Sequence, residues 1–191
     1  MTNDELHRAL REQRLSGTTE SPKTFRWDTI HWTCDTLVDR GLVYELAIWL
    51  MQSKDCVIFG SRGCGKSYLA QVIGMTAKDA GLPVCYREAS QLLRDIASAT
   101  ASGENTEVIT DLLTVPLLIV DDLDVRNLPR LHTEHFLELV LRRYTKASTI
   151  IIVTSSLAEL SKYRGDTPVN NALIDRILHR RNVIDIRSKG H

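Results

Sequence analysis

The sequence predicts an α/β fold in which a parallel β-sheet lies buried between two layers of helices. Three observations carry this. Runs such as Cys56–Phe59, Leu117–Val120 and Thr149–Val153 are almost continuously apolar, without the alternation expected of a sheet with one wet face. Segments with helical spacing separate them, so strand and helix alternate along the chain. The length of 191 residues, 43% hydrophobic and 25% charged, suits one globular domain of ordinary size.

The elements follow in order. Asn3–Leu15 reads as a short polar helix ended by Ser16-Gly17, and residues 17–23, rich in Gly, Ser, Thr and Pro, as a linker. Asp28 is placed to N-cap a helix reaching Arg40, where Gly41 stops it, and residues 42–52 form a second, more apolar helix. The pattern then changes. Cys56–Phe59 is a buried strand ending at Gly60, and Lys66–Ala80 a helix stopped by Gly81-Leu82-Pro83. Val84–Arg87 is the second strand, Ala89–Ser98 a helix, residues 99–105 a loop of small polar residues, and Val108–Leu113 a short helix. Leu117–Val120, Thr149–Val153 and Val183–Ile186 complete five strands, with helices over Thr133–Thr145 and Asn170–His179. Right-handed crossovers between parallel strands place helices on both faces, giving three layers.

Composition excludes several classes. The first five residues carry neither a basic segment nor an apolar one, so a signal peptide is not expected. The longest apolar stretch, residues 42–51, is ten residues long and contains Glu45, too short for a bilayer of about 30 Å. A cytoplasmic protein without membrane contact is expected. The four cysteines form no CxxC pair, and His132 and His135 are spaced HxxH rather than HExxH, so no structural zinc site is read. The net charge is zero but unevenly spread: residues 126–191 hold 12 basic and 6 acidic side chains. Arg142, Arg143, Lys146, Arg180, Arg181 and Arg187 supply much of that surplus, which reads either as a solvated face or as a surface for phosphates.

The strongest motif is Gly60-Ser61-Arg62-Gly63-Cys64-Gly65-Lys66-Ser67, a full match to GxxxxGK[ST] lying between a strand and a helix. Its glycines permit the backbone turn that aims N–H groups inward, toward the negative charge of a nucleotide. Lys66 is placed to reach the β- and γ-phosphates, and Ser67 to ligate Mg²⁺; Tyr68 follows at the head of the helix. The run Leu117-Leu118-Ile119-Val120-Asp121-Asp122 supplies the second half of such a site. Asp121 would hold Mg²⁺ through water, and Asp122 would orient or polarise an attacking water. Two further positions stay open. Ser156, after the fourth strand, either contacts the γ-phosphate or caps the next helix. Arg176 is either a surface ion-pair residue or an arginine finger offered to a neighbouring subunit.

GSRGCGKSYLA, LLIVDDLD, ELVLRRYTKASTIIIVTSS and NALIDRILHRRNVIDI resemble the IstB/DnaC-like branch of the AAA+ ATPases, over roughly residues 46–187. The resemblance implies a P-loop core of the ASCE type with five parallel strands in the order 5-1-4-3-2. It divides the chain into an N-terminal helical extension (1–45) and an ATPase domain (46–191). It implies ATP and Mg²⁺ as cofactors, with Lys66 and Ser67 in the Walker A motif and Asp121 and Asp122 in Walker B. Ser156 falls at the sensor 1 position and Arg176 at the arginine finger. It further implies a homo-oligomeric ring or filament on DNA, remodelling of target DNA, and recruitment or stimulation of a transposase. A replicative helicase is the partner in the loader alternative. The chain departs from the family in carrying Ser156 where Asn is usual, Asp122 where Glu is usual, and only 59 residues before the loop. No DNA-reading motif is evident, so DNA contacts would be non-specific phosphate contacts, sensitive to salt. Two rivals are a small-molecule P-loop kinase, which would need an Arg-bearing lid that is not evident, and a scaffold that binds ATP without turnover.

Overall fold

The computed structural model describes residues 55–102, 106–163, 165–178 and 183–186. The expected helices before the P-loop, the boundary at residue 45, and Arg180, Arg181 and Arg187 lie outside the described residues. Within them the chain runs β1 (Asp55–Gly60), α1 (Lys66–Asp79), β2 (Val84–Glu88), α2 (Ala89–Ser102), α3 (Thr106–Thr114), β3 (Leu117–Leu123), a 3₁₀ turn (Val125–Asn127), α4 (Arg130–Arg143), β4 (Ser148–Val153), α5 (Leu157–Lys162), α6 (Pro168–Leu178) and β5 (Val183–Ile186). All strand pairs are parallel, in the order β2-β3-β4-β1-β5. Read from the other edge, this is the expected 5-1-4-3-2.

Successive strand residues point to opposite faces, and here both faces are covered. Ile58, Ile119, Ile150 and Ile152 pack against Leu69, Ile73 and Ala77 of α1. Val57, Phe59, Val120, Ile151 and Val153 meet Leu92 and Leu93 of α2, Phe136 and Val140 of α4, and Leu173 and Ile177 of α6. This two-sided burial is why the strands carry no alternation.

Four expectations are corrected. Helix α2 continues through residues with the composition of a loop. Ala97, Ala99 and Ala101 are strong helix formers, Ala99 is buried, and the Thr100 hydroxyl donates back to the Ile96 carbonyl (2.8 Å). Strand β3 extends to Leu123 through a register shift between Val120 and Leu123. Residues 157–162, given no bounds above beyond a helix for Ser156 to cap, form a short helix. Finally, Arg143 is not a surface cation. It is fully buried and donates to Thr149 Oγ1 (3.0 Å), the Leu112 carbonyl (2.6 Å) and the Ser148 carbonyl (2.6 Å). The Leu112 carbonyl would ordinarily accept from the amide four residues on, but that residue is Pro116, which has no N–H. Arg143 supplies the missing donor and ties the end of α3 to the start of β4.

Candidate functional site

The octapeptide forms the turn from β1 into α1. Gly60, Gly63 and Gly65 have φ values of 147°, 76° and 92°. Gly60 is where the need for glycine is sharpest, because a Cβ there would lie 2.6 Å from both Cys64 Sγ and the Ile186 carbonyl oxygen. Gly65 is the N-cap of α1; it offers no side-chain cap, and the first turn holds no acidic residue. The leading N–H groups of α1 therefore face outward with the positive end of the helix dipole, the arrangement that receives an anion. Ser61, Arg62 and Gly63 are exposed on the outside of the turn, Cys64 is buried beneath it, and Tyr68 is half-buried one residue after Ser67. Lys66 Nζ folds over the loop, donating to the carbonyls of Gly60 (2.8 Å) and Ser61 (2.9 Å).

Strand β3 brings the acids to this turn. Leu117 and Ile119 face α1, and Asp121, two residues further on the same face, receives the Ser67 hydroxyl on Oδ1 (3.1 Å). The backbone N–H of Asp122 donates to the same oxygen (2.7 Å). Asp121 is nearly buried while Asp122 is exposed. The bulge explains the difference: Asp122 has φ 60°, a left-handed conformation that Asp tolerates better than most residues. Bulges re-aim side chains in this way.

A third side chain completes the cluster, and no sequence motif marks it. Tyr86 of β2 donates its hydroxyl to Asp121 Oδ2. Burial first, and then the bond to Asp121, push its pKa up to about 12, so it is a neutral donor at pH 7. The only signal lies in the sheet order. Tyr86 pairs with Ile119, two residues before Asp121, and two residues of parallel strand, about 6.6 Å, match the reach of a tyrosine side chain.

Two further predicted residues make contacts of their own. Ser156 is the N-cap of α5. Its hydroxyl accepts from the Glu159 amide (3.2 Å), and its own amide donates to the Glu159 carboxylate (2.8 Å), a reciprocal capping box. The capping contact is thus formed in the structure. Arg176, exposed in the last turn of α6, lies over the Tyr144 ring, 5.4 Å from its centroid.

A cation would find suitable partners here. Mg²⁺ favours octahedral oxygen coordination and is commonly held by one or two protein groups together with water and substrate phosphates. A hydroxyl and a carboxylate 3.1 Å apart, Ser67 and Asp121, at the head of an uncapped helix provide that donor set.

Comparison with known proteins covers the stretch of chain that holds these residues. A family model described as IstB-like ATP binding protein matches residues 2–191. An ATP-binding protein of insertion sequence IS21 from Pseudomonas aeruginosa is 28% identical over 156 residues, 81% of this chain and 59% of that one. One from insertion sequence IS5376 of Geobacillus stearothermophilus is 25% identical over 166 residues, 86% and 66% respectively. The chain spans less than two thirds of the length of these relatives. Among solved structures, AMPPCP-bound DnaA from Aquifex aeolicus aligns with a TM-score of 0.62 at 23% identity, covering 76% of this chain and 45% of that one. The DnaC helicase loader aligns at 0.59 and 17%, covering 78% and 91%. At these identities the likeness is one of fold.

Proposed function

The chain belongs to the family of IstB-like ATP-binding proteins, and on that premise we propose that it binds Mg·ATP, hydrolyses it slowly, and assembles on DNA to assist a transposase. The observation that carries this reading is the meeting of Ser67 with Asp121 beneath an uncapped helix N-terminus that also presents Lys66.

The residues divide the work. The loop N–H groups from Gly60 to Ser67 bind the phosphates, and Lys66 exchanges its two carbonyl partners for phosphate oxygens. Ser67 would offer its oxygen lone pairs to Mg²⁺ while its hydroxyl proton still donates to Asp121. Mg²⁺ held by these residues would supply charge neutralisation to the phosphate oxygens. Asp122, turned outward by the bulge, accepts a hydrogen bond from the attacking water and orients it. Because its carboxylate is one methylene shorter than the usual Glu, slow turnover suits it. Arg176, on an exposed helix end, is offered to the site of a neighbouring subunit in a ring or filament. The exposed Arg142 and Lys146 supply non-specific phosphate contacts to DNA. Residues 1–45 are the extension available for partner contact. A transposase is the partner favoured by the insertion-sequence relatives, and a replicative helicase is the alternative.

The test is phosphate release alongside nucleotide affinity. Asp122→Asn is expected to bind ATP as the wild type does and to release phosphate about 100-fold more slowly. Arg176→Ala is expected to lose turnover and regain it when mixed with Lys66→Ala, each subunit supplying what the other lacks. Undiminished phosphate release in Asp122→Asn would overturn the assignment of the water-orienting carboxylate.

A further inference from the structure

We propose that Tyr86, outside both nucleotide-binding motifs, is a positioning residue of the metal site: its hydroxyl fixes Asp121 so that one carboxylate oxygen stays directed at Ser67. The inference rests on the reading of Ser67 and Asp121 as the Mg²⁺-binding pair and adds the part that keeps them aligned.

An aspartate carboxylate is free to turn about its own axis. Its terminal torsion is broad and roughly two-fold, so a carboxylate held at one oxygen can still swing. In Asp121, Oδ1 receives two donors, the Ser67 hydroxyl (3.1 Å) and the Asp122 amide (2.7 Å). Both act on one oxygen, and both depend on neighbours that change role when nucleotide binds: Ser67 takes a metal ion on its oxygen, and Asp122 sits in the bulge. Tyr86 is the donor on Oδ2, and it comes from a different strand. It is carried by β2, which pairs with β3 in unbroken register from Val84 to Glu88. An aromatic side chain with two rotatable bonds, rooted in a neighbouring strand, holds the second oxygen against rotation. Tyr86 is 38% exposed, so burial in the core does not by itself account for its placement. Partners of this kind behind a metal ligand set its orientation, and their loss typically weakens metal binding about 10- to 100-fold.

Tyr86→Phe in the full chain isolates the hydroxyl. A fluorescent ATP analogue is titrated in EDTA and again at rising Mg²⁺, and the melting temperature is recorded without nucleotide. The expected result is an affinity in EDTA within twofold of wild type, a Mg²⁺ midpoint raised about tenfold, and a melting temperature close to wild type. Tyr86→Phe added to Asp121→Asn is expected to change the midpoint no further, because both act through one carboxylate. An unchanged midpoint in Tyr86→Phe overturns the proposal, as does a full additional loss in the double variant, or a fall in EDTA affinity as large as that in Mg²⁺. If the wild type itself shows no Mg²⁺-dependent binding, the reading of the pair fails, and the role of Tyr86 fails with it. Wild-type dependence with an unmoved Tyr86→Phe midpoint overturns the role of Tyr86 alone.

Discussion

Replacing Arg143 with Met should separate a structural cation from a DNA-contacting one. The guanidinium sits at the C-terminal ends of both α3 and α4, where helix dipoles favour positive charge. Burial, the main influence on it, pulls its pKa down to about 10, which leaves it charged at pH 7. Met keeps much of the volume but abandons two buried carbonyls, those of Leu112 and Ser148. Each unsatisfied acceptor costs about 1–3 kcal/mol. Removing a buried charge returns part of this, so a net loss of about 3 kcal/mol is expected. For a chain of this size that is a fall in melting temperature of roughly 6–12 °C. Arg142→Ala is the control. Its pair with Glu138 (3.5 Å) is exposed on both sides, and such pairs are worth less than about 1 kcal/mol. Thermal unfolding of both variants, followed by circular dichroism, gives the comparison. DNA affinity against salt completes it: Arg142→Ala should shallow the salt slope and Arg143→Met should not. If Arg143→Met melts with the wild type, or if it rather than Arg142→Ala lowers the slope, the assignment of Arg143 to the interior is refuted.

Two other perturbations follow from the same structure. Gly60→Ala should cost more than about 3 kcal/mol, because unfavourable φ adds to collisions with Cys64 and the β5 backbone, whereas Gly63→Ala meets nothing within 4 Å and should cost about 1 kcal/mol; melting temperatures of the two variants check the ratio. Ser156→Ala should lower the melting temperature by roughly 2–4 °C at pH 7 and leave phosphate release within twofold; a large loss of turnover would instead place its hydroxyl at the γ-phosphate. The capping pair also has a pH signature. Hydrogen bonds from the Ser156 amide and then its hydroxyl hold the Glu159 carboxyl below its ordinary value of 4.5. As pH falls through that lowered value the unfolded chain has already taken up the proton, so the contribution present above about pH 4.5 disappears. The difference between Ser156→Ala and wild type should therefore narrow in acid.

Much of the fold was legible because its strands are buried on both faces, which removes the alternation that would have signalled a half-wet sheet. The P-loop was legible for a different reason: glycines at fixed spacing have few other uses between a strand and a helix. The departures share a cause. The Ala/Ser/Thr run at 97–102 has the small polar composition of a loop, yet Ala99 is buried and Thr100 bonds within the helix. Arg143 resembles its exposed neighbour Arg142 in sequence, because nothing local reveals that Pro116, far away along the chain, leaves a carbonyl in need of a donor. Tyr86 becomes visible only once β2 is set beside β3 with Tyr86 opposite Ile119. Local patterns identify the elements and the two acids; contacts between distant segments decide which side chains hold those acids in place.

The central claim is that the turn after β1 binds a triphosphate through Lys66, and affinity for a non-hydrolysable ATP analogue in Mg²⁺ tests it most directly. Lys66→Ala removes two charge-assisted hydrogen bonds to phosphate oxygens, and at about 1.5 kcal/mol or more each this corresponds to binding about 100-fold weaker. Such a weakening, with the melting temperature preserved, is the predicted result; an affinity equal to wild type would contradict the account.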